Sequence, residues 1–196
     1  MASLRELRPA ITEYARTTGA SFDYNHDYEH HIRFVARDAE RLARAEGAHE
    51  DVCWTAAMLH ELGLVGGREG HDGRTPGMAE SFLRSRDANA AEAISVVKVL
   101  HGYHTHNVLQ HPTREEKCVH DANERHAVGP NGFLRVFSDM IHVLDKLPRR
   151  EAMQKLPEYL ERRPDLFQTR TGRKMAEQDM PLLREFIRRY RAYEEL

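Results

Sequence analysis

The sequence predicts an all-α protein folded as a single-domain helical bundle, and three observations carry that prediction. Apolar residues recur at three- and four-residue steps along most of the chain. No stretch alternates apolar and polar residues as a half-buried strand does. Glycine and proline cluster between the periodic stretches, where helices end and restart. With 196 residues the chain can bury a substantial core, and one domain over residues 1–196 is the expectation.

Taken in order, residues 4–16 form a short amphipathic helix with Leu4, Leu7 and Ile11 at helical spacing. A longer helix covers residues 28–46, where Val35, Ala39, Leu42 and Ala43 mark one inward face and Gly47 closes it. Residues 50–62 form the next and end at Gly63. The segment 65–76 carries Gly66, Gly67, Gly70 and Gly73 among His71, Asp72 and Arg74, and is expected to be a polar loop reaching over a substrate. Helices follow over residues 77–86, 89–103, 115–127 and 133–147, with an irregular histidine-rich segment over 104–112. Residues 151–161 and 171–193 are also largely helical, and Pro157 and Pro181 are expected to start new helices within them.

Composition narrows the function. A formal charge of -2 with 31% charged residues leaves no global bias toward a polyanion, so nucleic acid is not an expected partner. No apolar run approaches the roughly 20 residues that span a bilayer, and residues 1–6 lack the apolar core of a secretory signal. A cytoplasmic protein without a membrane partner is expected. Cys53 and Cys118 are the two cysteines, and they are expected to be reduced structural thiols. Thirteen histidines are an excess, and most lie between Tyr24 and His126.

Several of these histidines fall on faces that the apolar periodicity turns inward. His60 and Glu61 end an aliphatic run, Ala56-Ala57-Met58-Leu59, and a buried imidazole beside a buried carboxylate needs a compensating charge or hydrogen bond. His31 lies four residues before Val35 on the inward face, and Asp121 shares a face with Cys118 and Ala122. Spacing from Val35, Ala39 and Leu42 selects His31, whereas spacing from His26-Asp27 selects its neighbour His30. Three such faces meeting in a core would bring two imidazoles and two carboxylates together, a ligand set suited to Mn²⁺, Fe²⁺, Co²⁺, Ni²⁺ or Mg²⁺.

The order His, then His-carboxylate, then Asp in all-helical sequence resembles the HD-domain superfamily. His26-Asp27-Tyr28-Glu29-His30-His31 resembles the lead-in and first ligand helix of that family. Residues 56–63 resemble the second, and residues 116–123 the helix bearing the last aspartate. The tail over 167–176 is similar to that of a bacterial subgroup of single-domain HD hydrolases. Glu61 stands where the family has aspartate, and Asn123 and Glu124 depart from its Asp-Ala-Asp pattern.

The resemblance implies a metal-dependent phosphohydrolase acting on a nucleotide or other small phosphate ester, with His31, His60, Glu61 and Asp121 as metal ligands. Arg74, and after it Lys117, would pair with phosphate oxygens. His71 and His101, with His104 as a rival to His101, match the places where some HD proteins bind a second metal, and di-iron oxygenases are among those. An oxygenase, a metal lyase or hydratase, and a degenerate binding protein are the competing expectations, and a homodimer is open.

Overall fold

The structure is a computed structural model and describes residues 1–23, 25–103, 111–129, 132–142 and 146–194. Its elements are α1 (Leu4–Gly19), a π-turn (Tyr28–Ile32), α2 (Arg33–Glu46), α3 (Glu50–Leu59), α4 (His71–Ser85), α5 (Ala90–Tyr103), α6 (Arg114–Val128), α7 (Gly132–His142), α8 (Arg149–Arg162) and α9 (Arg170–Glu194). Short 3-10 segments, Leu62–Gly66 and Arg163–Leu166, join α3 to α4 and α8 to α9. Among the described residues there is no strand, only an isolated bridge between Ala2 and Ala88, so the fold is all-α. No described helix is long and apolar enough to cross a membrane.

Local chemistry accounts for the helix ends. Ser3 and Glu6 form a reciprocal capping box at the start of α1, and Thr113 accepts from the Glu116 amide at the start of α6. Gly47 stops α2 at φ 68, in the left-handed region that costs glycine nothing. Helix α2 packs against both α3 and α6, and its buried Val35, Ala39, Leu42 and Ala43 are the residues the periodicity turned inward. A main core joins α1 to α6, and a second cluster built on Val136, Leu156, Leu160, Leu183 and Ile187 holds α7, α8 and α9.

The structure corrects three expectations. The predicted loop over 65–76 ends at Gly70, and His71, Asp72 and Arg74 lie in the first turn of α4. Gly63 explains the tight connection: its amide donates to Thr75 Oγ1 at 3.0 Å, and a Cβ there would meet that hydroxyl at 2.7 Å. Pro157 and Pro181 do not start new helices, because α8 and α9 run through them. Tertiary burial of Leu156 and Leu160, and of Met180 and Leu183, offsets the lost backbone hydrogen bonds. The predicted helix over 28–46 opens as a π-turn rather than as α-helix.

Candidate metal centre

The π-turn decides which histidine of the pair faces inward. The Asp27 carboxylate accepts from the His30 amide at 2.7 Å and from its ring at 2.8 Å, which holds the His30 side chain at the surface. A π-turn carries one residue more than the equivalent α-turn, so the next residue rotates onto the core face. His31 is fully buried there, ahead of Val35.

His60 and Glu61 follow the last turn of α3. The carbonyl of Ala57 can only accept, and it lies 2.6 Å from His60 Nδ1, so His60 carries a proton on Nδ1 and turns Nε2 toward the core. Glu61 sits at φ -100, ψ 4, in the bridge region of backbone space that active-site residues often occupy. This bend brings its carboxylate back beside the imidazole that precedes it.

The three side chains converge. His31 Nε2 lies 3.1 Å from His60 Nε2, and Glu61 Oε1 lies 3.4 Å from the first and 3.3 Å from the second. All three residues are buried. A third imidazole stands behind: His126 on α6 places Nδ1 2.8 Å from His31 Nδ1. When His31 donates in that hydrogen bond, both Nε2 atoms present bare lone pairs to each other and to the carboxylate.

Electrostatics favour the forms that bind metal. Burial drives the His31 imidazole well below its usual pKa, with Arg135 adding to the effect, so it is neutral. Burial alone would raise the Glu61 carboxyl, but the adjacent His60 and His31 rings outweigh it and hold it well below the usual range. Neutral imidazole and ionised carboxylate are the states metal binding requires.

The donor geometry fits a cation. Ligand atoms held at about 2.1 Å from one ion lie about 3.0 Å apart at right angles and about 3.4 Å apart at tetrahedral angles. The observed edges of 3.1, 3.3 and 3.4 Å span that interval. Two nitrogens and one carboxylate oxygen suit the borderline divalent metals of the first row.

Other predicted site residues lie elsewhere. Asp121 is fully buried, but it does not join this group: its oxygens accept from the Gln168 amide at 2.8 Å, the Thr169 amide at 2.7 Å and the Thr169 hydroxyl at 2.6 Å. Its carboxylate therefore ties α6 to the start of α9. Arg74 donates to the carbonyls of Gly63, Gly67 and Glu69 and clamps the turn before α4 instead of pointing at a substrate. His71 is held by Arg68 O at 2.7 Å and Asp72 Oδ1 at 2.8 Å. His101 is exposed at the end of α5, Lys117 is half-buried on α6, and His104 lies outside the described residues.

Sequence reasoning missed His126, Arg68, Arg135 and Asp139 as neighbours of the centre. Arg135 was detectable in principle, because it interrupts the apolar run Phe133-Leu134-Arg135-Val136-Phe137. A guanidinium flanked by aromatic and aliphatic residues on a packed helix needs a buried partner.

Comparison with known proteins shows the fold. No family model matches the chain, and no curated protein matches it. Solved structures do. A protein of Lactobacillus plantarum is 21% identical, with a TM-score of 0.75 over 95% of this chain and 96% of that one. YpgQ of Bacillus subtilis in complex with ADP is 22% identical, with a TM-score of 0.74 over 92% of this chain and 94% of that one. A Bacillus thuringiensis protein described as an HD-superfamily hydrolase is 21% identical, with a TM-score of 0.74 over 98% of each chain.

Proposed function

From the HD-domain fold that these structures share with the chain, we propose that the protein is a metal-dependent hydrolase of small phosphate esters, nucleotides included. The observation that carries the proposal is the buried triangle of His31 Nε2, His60 Nε2 and Glu61 Oε1, whose edges match those of a three-ligand metal site. The nucleotide bound to the similar YpgQ protein supports the substrate class. A divalent ion held there supplies a Lewis acid and lowers the pKa of bound water from 15.7 toward about 7.

The chain's own residues supply the rest. His126 and the Ala57 carbonyl fix the two imidazole rings in orientation, as outer partners of metal-binding histidines do. Glu61 contributes the anionic charge that an otherwise neutral ligand pair lacks. Tyr103 packs edge-on against His60, with ring centroids 5.7 Å apart, and its phenol is raised well above the usual range by burial, so it stays protonated. A dinuclear centre built with His71 and His101 gains no support, since neither reaches this group.

The test is phosphate release from nucleoside mono-, di- and triphosphates by protein loaded with Mn²⁺, Co²⁺, Ni²⁺ or Mg²⁺. Turnover that disappears in Glu61→Gln is expected. Metal-loaded protein that releases no phosphate from any of them overturns the proposal.

A further inference from the structure

A second polar group adjoins the metal centre, on the side where the π-turn begins. His26 is 5% exposed, and its ring stands edge-on to that of His31 with centroids 5.8 Å apart. Its Nδ1 lies 2.8 Å from Asp23 Oδ1, so the imidazole donates to Asp23 and leaves Nε2 as an acceptor. Two guanidinium groups approach this ring from different elements. Arg68 Nη2 is 3.1 Å from Nδ1 and 3.4 Å from Nε2, nearly equidistant, so it does not address a single lone pair. Arg135 Nη2, from α7, is 3.5 Å from Nε2, and Arg135 Nε donates to Asn25 O at 2.8 Å.

The acidic neighbours could suggest a different ligand. Asp23, His26 and Asp139 each offer an atom within 4.8 Å of the others, as a cation site would. The arginines decide against it. A divalent ion held by these three residues would face two fixed guanidinium charges, both of which lie within 3.5 Å of the His26 ring. Asp139 is already bound by Asn25 Nδ2 at 2.9 Å, and Asp23 is 43% exposed and only 3.5 Å from Arg68, a loose contact that can open. Among the described residues, Arg68 Nε and Nη1 and Arg135 Nη1 have no hydrogen-bond acceptor. Arg135 reaches inward to the field of Glu61, whereas Arg68 is 31% exposed at the rim.

We propose that Arg68, Arg135 and His26 form an anion-binding subsite beside the metal centre, one that takes a phosphoryl group of a phosphate ester or anhydride. Planar guanidinium groups present paired donors matched to phosphate oxygens, and the His26 ring positions both. The subsite deepens the hydrolase reading and rests on it for its biological role, but its binding chemistry is separately measurable.

The experiment is calorimetric titration of the full chain with inorganic pyrophosphate, metal-free and with Mn²⁺, for wild type, Arg68→Gln and Arg135→Gln. Thermal melting of each variant identifies any that fails to fold, and Arg68→Gln, at the rim, keeps the test sound if Arg135→Gln does. The expected result is binding by wild type in both states, weakened at least tenfold in Arg68→Gln, with one Mn²⁺ per chain throughout. No pyrophosphate binding by wild type, or equal affinity in the folded variants, overturns the subsite. Two Mn²⁺ per chain, falling to one in Asp23→Asn, also overturns it in favour of a cation site. Pyrophosphate binding that depends on Arg68 in a protein that hydrolyses no phosphate compound keeps the subsite and removes the hydrolase reading alone.

Discussion

His31 Nε2 and His60 Nε2, carried by the π-turn and the end of α3, face each other at 3.1 Å with the Glu61 carboxylate beside both. Two lone pairs and an anion at this spacing predict a metal site measurable without any substrate. One divalent ion per chain is expected by elemental analysis. At a metal concentration one hundred times Kd the stabilisation is about 2.7 kcal/mol, or roughly 5–10 °C in Tm for a chain of this size. His31→Ala and Glu61→Gln should abolish that shift, while His30→Ala should keep it. A full shift in Glu61→Gln would show that the carboxylate is not a ligand.

The π-turn makes a separate prediction. His26-Asp27 and Val35 set two registers that differ by one residue, and the extra residue of Tyr28–Ile32 reconciles them. Deleting His30 should let the turn close as ordinary α-helix with the remaining histidine still inward. Metal stoichiometry is expected to stay at one and Tm to hold or rise; loss of metal from a folded deletion variant would show instead that the extra residue is needed to aim His31.

Asp121 is predicted to act on stability rather than on metal. Replacing it with alanine strands the buried Thr169 amide, the part-buried Gln168 amide and the Thr169 hydroxyl, which itself accepts from the Gly172 amide at 2.9 Å. Each buried unsatisfied group costs about 1–3 kcal/mol, so a loss of at least about 3 kcal/mol is expected by denaturant unfolding. The folded fraction of Asp121→Ala should retain its metal. A variant of normal stability that binds none would reverse the assignment.

Acid should destabilise the metal-free protein through its buried histidines. Burial, with His120 nearby, lowers the His111 pKa to about 4, and burial, with Arg135 nearby, lowers that of His126 to about 3. Their unfolded value is about 6.5, so below that pH the unfolded chain binds more protons than the folded one. This stability is complete above about pH 6.5 and is lost as pH falls toward the folded values. Each histidine contributes a slope of up to about 1.4 kcal/mol per pH unit in that window. Urea midpoints at pH 7 and pH 5 measure it; His111→Gln should flatten the profile, and equal midpoints in wild type would refute a histidine origin.

Periodicity alone determined the helical architecture, because inward faces such as Val35, Ala39, Leu42 and Ala43 repeat at the helical step whatever the helices pack against. The aliphatic run around His60 and Glu61 pointed inward as well, but the pair by itself also fits an exposed helix end, and its burial beside His31 is decided by the packing. Only the tertiary structure decided between His30 and His31, because the spacing shows two registers one residue apart and does not say where the extra residue is taken up. The same holds for Asp121, where an inward carboxylate is satisfied equally by a cation or by amides, and only the packed structure brings the amides of residues 168–169, just before α9, onto it. Arg68, Arg135 and His126 come from segments far apart in sequence, and their meeting beside His26 and His31 exists only once the helices have packed.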